Sequence, residues 1–249
     1  MRPLSLLLLI FPLSIICSEN KYTDAIVKKI DTRQKPGTWI LEMQKNVAYH
    51  FYGDQDAKTE YQELGKEAQN LLTIPEKEQV IIKKLASHAP NFAYAPACMC
   101  NGYIFVKEEF MDRTWFGIKR VSLIHEAVHK KQFQPFEQQI VILNPSKYSK
   151  IEREADCEGA LLGKCYRCTY EFSLKQPREK DTSPQAQSAR EMGYATYEQL
   201  GQISQQQQKQ RLLCSHHKRC GWANKVDEEK VYRRFFPQTK NDSALNFKK

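Results

Sequence analysis

Five consecutive residues, His125-Glu126-Ala127-Val128-His129, carry the clearest chemistry in this 249-residue chain. Histidines four apart on a helix lie on one face, about one turn from each other. Their imidazoles can converge on a single tetrahedral zinc ion. Glu126 follows the first histidine and can reach a water beside that ion rather than the ion itself. The flanking residues Trp115, Phe116, Ile118, Val121, Leu123, Ile124, Ala127 and Val128 describe a helix buried on most sides. The plainer alternative is a helix with two satisfied histidines and a surface glutamate, but two histidines amid such apolar flanks need a reason.

A catalytic zinc requires a third protein ligand and an open position. Glu152-Arg153-Glu154-Ala155-Asp156 supplies a candidate downstream. Glu152 and Asp156 share a helical face, so Glu152 can complete a ligand set with His125 and His129. Asp156 can accept a hydrogen bond from a ligating imidazole, fixing its tautomer. The catalytic pair expected from spacing is thus Glu126 and Asp156, with one Zn2+ per chain.

These elements must be positioned by others. Periodicity predicts helices over Asp54 to Leu72, Glu76 to Ser87, Asp112 or Thr114 to about Phe133, Lys147 to about Cys165, and Glu198 to Leu213. Between them, Asn91 to Phe110 is rich in strand formers punctuated by Pro96 and Gly102, which suggests a hairpin or two short strands. Lys21 to Tyr52 reads as extended structure and turns. Ser173 to Ser188 has linker composition, and Asp242 to Lys249 looks frayed. The chain is expected to be α+β and mainly helical, with a short antiparallel sheet packed against the motif helix. Its expected divisions are a signal peptide at 1–18, a core at 19–172, and a polar linker with a helical, cysteine-containing extension at 173–249.

The two motifs together resemble the gluzincin metallopeptidases. The nearest group holds the CAAX prenyl proteases and the bacterial cell-envelope quality-control proteases. Asn91-Phe92-Ala93-Tyr94-Ala95-Pro96 and Asn101-Gly102-Tyr103-Ile104-Phe105-Val106 are similar to that family's strand pair, and the likeness spans roughly Leu72 to Lys164. Val128 stands where the family usually has Gly, and Ser215-His216-His217 lacks the proline of the family's C-terminal motif. The resemblance implies a zincin-like, minimal gluzincin core and a zinc-dependent endopeptidase acting on polypeptides. A second gluzincin-like group has the pattern Glu-x-Glu-Ala, which makes Glu154 a minor rival to Glu152 as third ligand. Envelope protein quality control is the implied setting. A zinc-fold binding or scaffold protein without turnover is the alternative. In such an enzyme Tyr103, Ile104, Phe105 and Val106 could form an edge strand that pairs with substrate; an ordinary interior strand is equally compatible. A second oxyanion stabiliser is expected, with His216, His217 and Tyr170 as candidates.

Arg2 followed by the apolar run Leu4 to Ile16 and the polar Ser18-Glu19-Asn20 has the layout of a secretory signal peptide. The run is shorter than the ~20 residues that span a bilayer. Export to the periplasm or outside the cell is therefore expected, with no stable membrane insertion afterwards and a lipid anchor at Cys17 as a minor possibility. The net charge of +9 is scattered in short clusters without interleaved aromatics, which argues against nucleic acid as a partner. Oligomeric state is not legible. In an oxidising compartment the seven cysteines after Cys17 are expected to favour disulfides, with Cys214–Cys220 the leading local bridge. A four-thiolate zinc site from Cys98, Cys100, Cys165 and Cys168 is the other reading.

Overall fold

The computed structural model describes residues 49, 52–87, 97–100, 102–132, 145–221 and 228–236. The expected signal peptide, most of the 21–52 segment, Asn91 to Pro96 and the C-terminal tail lie outside these residues. In chain order the elements are α1 (Thr59–Leu71), β1 (Lys83–Lys84), β2 (Ala97–Cys100), β3 (Tyr103–Val106) and α2 (Glu108–Met111). They continue with α3 (Phe116–Gln132), α4 (Pro145–Leu162), α5 (Tyr166–Ser173), α6 (Pro184–Glu191), α7 (Tyr197–Lys209) and α8 (Glu228–Phe235). The described residues are mainly helical, with one small sheet. No helix among the described residues is long and apolar enough to cross a membrane.

Helix α3, which carries the histidine motif, is the hub. Every residue from Phe116 to His129 except Lys119 is buried, as its all-round apolar sequence requires. It packs on α1, α4, α5 and β2. The main core joins Tyr61, Leu64 and Ala68 of α1, Ile104 and Val106 of β3, and Val121, Leu123 and Ile124 of α3 to Ala155, Phe172 and Leu200. The N-terminus of α3 receives a buried carboxylate from another helix: the Gly117 N–H donates to Glu171 Oε2 at 2.6 Å. A negative charge there satisfies a backbone donor that lacks an intrahelical partner and complements the helix dipole.

The sheet departs from expectation in two ways. It is mixed rather than antiparallel, with strand order β1-β3-β2. β2 and β3 form the expected antiparallel hairpin, while β1 runs parallel to β3 with Lys83 opposite Phe105. The segment expected to be a second helix at Glu76 to Ser87 is a single 3-10 turn, Glu76–Glu78, followed by extended chain. Two glutamines of α1 explain why. The Gln69 amide brackets Val80, accepting its N–H at 2.8 Å and donating to its carbonyl at 3.0 Å. Gln62 treats Ile82 in the same way, at 3.0 and 2.5 Å. Each side chain imitates a strand partner and draws the segment out of the helical conformation that its periodicity suggested.

A consequence is that β3 is the central strand. Ile104, Phe105 and Val106 are fully buried, so the expected substrate edge at Tyr103 to Val106 is an interior strand.

The polar stretch after Ser173 is more ordered than its composition suggested. Ser183 accepts from the Ala186 N–H and Pro184 opens α6, both ordinary helix-start signals. Ala186 and Ala189 of α6 pack with Ile118 of α3 and Tyr232 of α8. Helix α7 begins with a capping box between Thr196 and Gln199 and packs on α4 and α5.

Candidate metal centre

Three donor groups converge between α3 and α4. His125 Nε2 and His129 Nε2 are 2.9 Å apart. The Glu152 carboxylate reaches both, with Oε2 3.4 Å from His125 Nε2 and Oε1 3.4 Å from His129 Nε2. Ligands at about 2.0–2.1 Å around a tetrahedral zinc lie roughly 3.3–3.4 Å from one another; both Glu152 distances match that spacing, and the two imidazole nitrogens, at 2.9 Å, are closer. All three side chains are buried, at 4 to 6% exposure.

The outer partners decide which nitrogens face inward. His129 Nδ1 lies 3.0 Å from Gln132 Oε1, which accepts only if Nδ1 carries the proton. His125 Nδ1 lies 2.9 Å from Asp156 Oδ1, close enough for an ion pair although the ring is not aligned for a hydrogen bond. Both arrangements point the Nε2 lone pairs at each other and at a carboxylate. Glu152 Oε2 is itself buried with no hydrogen-bond partner. Converging lone pairs in a dry site repel unless a proton or a cation lies among them. Burial works against charging His125, yet Asp156 and Glu152 outweigh it and push its pKa up to about 10. Burial likewise disfavours the Glu152 anion, but the two imidazoles beside it hold its pKa well below the usual carboxylate range.

Local sequence explains the convergence. In α4, Glu152, Ala155, Asp156, Gly159 and Ala160 form the buried face at helical spacing. Gly159 sits against α3 at the motif itself; a Cβ there would lie 3.3 Å from the His125 backbone nitrogen. This close approach sets the two helices near enough for Glu152 to span both imidazoles. Glu154 points away, exposed and 3.7 Å from Lys150 Nζ, so the rival third ligand does not enter the site.

Asp156 is fully buried and held from two further sides. The Ala195 N–H donates to Oδ2 at 2.9 Å, and the Gln176 amide approaches Oδ1 at 3.5 Å. Ala195 is delivered by a tight turn at Gly193. There φ is +96°, and an added Cβ would fall 2.1 Å from the Ser149 carbonyl oxygen, so a side chain is excluded by both conformation and space.

Glu126 lies beside the ligands at 7% exposure. Its ligand atom is within 4.8 Å of those of His125 and His129. Burial raises its pKa, against the pull of His125 and His129, the direction a proton-shuttling carboxylate needs.

Three further residues belong here that sequence reasoning did not name. Tyr194 stacks on His125 with ring centroids 6.4 Å apart. Burial, followed by the Glu152, Tyr148, Asp156 and Glu126 fields, raises its phenol pKa well above 10, so it stays an O–H donor at neutral pH. Tyr148, on α4, is raised by burial and by Glu152, to which it also hydrogen-bonds. Lys175 is placed by a hydrogen bond to Ser122 at 3.1 Å. Its burial lowers its pKa, while Asp156, Glu126 and Glu152 draw it back up.

The three expected oxyanion partners lie elsewhere. His216 sits 3.8 Å from Glu67 and against Phe116, nine residues and about 13 Å along α3 from His125. His217 engages the Cys214 carbonyl at 2.7 Å. Tyr170 donates to Glu228.

No family model, no curated protein and no solved structure matches the chain. The described residues contain two candidate metal-ligand groups, His125-Glu126-His129 and a cysteine cluster that includes Cys165, Cys168 and Cys214.

Proposed function

We propose that this chain is a zinc-dependent peptidase of gluzincin type. The observation that carries the reading is the convergence of His125 Nε2, His129 Nε2 and the Glu152 carboxylate, with Glu126 beside them and Asp156 behind His125. When bound, zinc would supply Lewis acidity toward the scissile carbonyl and make a water acidic near neutral pH. The residues divide the remaining work. Glu126 takes the proton from the attacking water and returns it to the departing amine. Asp156 and Gln132 hold the imidazoles in the tautomer that turns Nε2 inward. Tyr194 presents its O–H to the oxygen on which negative charge develops.

Peptide hydrolysis is preferred over other metal-assisted hydrolysis because the base and ligand sit in consecutive positions of the histidine helix. The glutamate ligand and its aspartate neighbour follow on the next helix, as in the resembled family. The expected export would put the substrate among periplasmic or extracellular polypeptides, and a quality-control role would favour unfolded chains over native ones.

Incubation of the full chain with unfolded casein tests the reading. Cleavage is expected, lost on treatment with a zinc chelator and restored by added zinc. A folded, zinc-loaded chain that cleaves neither casein nor a mixed peptide library would favour a zinc-fold binding protein instead. In the same assay Tyr194→Phe is expected to lower kcat by about 100-fold with zinc content unchanged; an unaltered kcat would remove Tyr194 from the chemistry.

A further inference from the structure

A second cluster lies at the opposite end of α3 from the histidines. Cys165 precedes α5 and Cys168 occupies its first turn. Cys214 and Cys220 flank the 3-10 turn His217–Arg219. Cys168 Sγ is 3.7 Å from Cys214 Sγ and 3.4 Å from Cys220 Sγ. Cys165 Sγ is within hydrogen-bonding reach of all three others, and the ligand atoms of Cys165, Cys168 and Cys214 lie within 4.8 Å of one another.

These distances correct the disulfide expectation. A disulfide brings two sulfurs to about 2.05 Å, and these four cysteines are unbridged. The expected Cys214–Cys220 bridge is absent because both sulfurs turn toward Cys168 instead. A zinc ion with thiolates at about 2.3 Å spaces them about 3.8 Å apart, near the observed values. Cys98 belongs elsewhere: it lies on β2 and acts on Tyr148 near the histidine site.

We infer that Cys165, Cys168, Cys214 and Cys220 form a closed, structural four-thiolate zinc site. Four thiolates complete a tetrahedral shell and leave no open position for water, which separates this site in kind from the histidine centre; Cys165, Cys168 and Cys220 are buried, at 0 to 4% exposure, and Cys214 is half-buried. Four thiolates around one divalent cation carry two net negative charges. Arg120 lies close enough to Cys168 and Cys214, and Arg167 to Cys220 and Cys165, for their fields to act on one another.

The backbone is arranged for the same purpose. The Tyr166 N–H donates to the Leu212 carbonyl at 3.2 Å, tying the start of α5 to the loop before Cys214. That loop turns back through His217 N–H to Cys214 carbonyl and Cys220 N–H to His217 carbonyl bonds, at 3.1 and 3.3 Å. The site would pin residues 212–221 against the base of α3. There Arg219 lies over the Phe116 ring, with its guanidinium carbon 4.2 Å from the centroid, and pairs with Glu60 at 2.7 Å.

The test is metal analysis of the full chain, purified with zinc and reductant. Two zinc ions per chain are expected. His129→Ala should retain one, and Cys214→Ser with Cys220→Ser should retain the other. Cobalt substitution of the unaltered chain should give an intense thiolate-to-cobalt charge-transfer band in the near ultraviolet, a readout that needs no variant to fold. A single zinc that disappears in His129→Ala would overturn the cysteine site and leave the histidine site standing. A single zinc that persists there and disappears in the cysteine variant would do the reverse. Cobalt spectra without thiolate bands, or an unreduced mass lighter by the hydrogens of two disulfides, would also overturn the inference.

Discussion

Glu126→Gln is expected to lower kcat by about 10²–10⁴-fold, the range typical of a lost general base, while leaving metal content unchanged. The amide keeps the shape of the carboxylate and its place beside the imidazoles but cannot accept the proton of the attacking water. KM should change little, because Glu126 acts on the water and the leaving group rather than on remote parts of the substrate. Burial raises the Glu126 pKa and so disfavours its charged form, which means the neutral side chain replaces it without a new desolvation penalty. Paired measurement of casein turnover and zinc content checks this. Full activity with normal zinc would assign the base elsewhere; loss of both would make Glu126 a structural group.

The second large effect is expected at Glu152. Glu152→Ala removes the carboxylate whose two oxygens reach the two histidines, each at 3.4 Å. Metal affinity at the histidine centre should fall by more than the about 10–100-fold that follows loss of an outer-shell partner, and activity should fall with it. Glu154→Ala is the matched control. Glu154 sits two residues away on the same helix but faces solvent beside Lys150, so its loss should leave affinity and turnover as they were. Chelator competition on both variants gives the answer. Equal effects would mean that α4 supplies no specific ligand.

How legible this was in the sequence depended on the range of the interaction. The histidine helix and Glu152-to-Asp156 could be read because spacing along one helix fixes which side chains share a face, and His125, His129, Glu152 and Asp156 do meet. Gln132 satisfies His129 one turn on, yet glutamine at such a position carries no pattern of its own. Tyr194 and Lys175 reach the centre through tertiary packing, and Tyr194 depends on the Gly193 turn to arrive there. Gly159 could have been noticed as a glycine inside a strong helical pattern, a cue to close approach of another backbone.

The misreadings share that origin. Val80 to Leu85 has helical periodicity, but Gln62 and Gln69 compete for its backbone and win. That change supplies β1, which covers the second side of β3 and removes the expected substrate edge. Among the cysteines, the C-x-x-C pair at Cys165 and Cys168 was visible as a half-site. Its partners were not, because residues 214 and 220 are brought to it only by packing of α7 on α5.

The most direct test of the metal centre is a crystal of the full chain grown with zinc, with anomalous diffraction recorded at the zinc edge. A peak is expected within bonding distance of His125 Nε2, His129 Nε2 and the Glu152 carboxylate. A zinc-loaded, folded chain with no peak among those three side chains would contradict it.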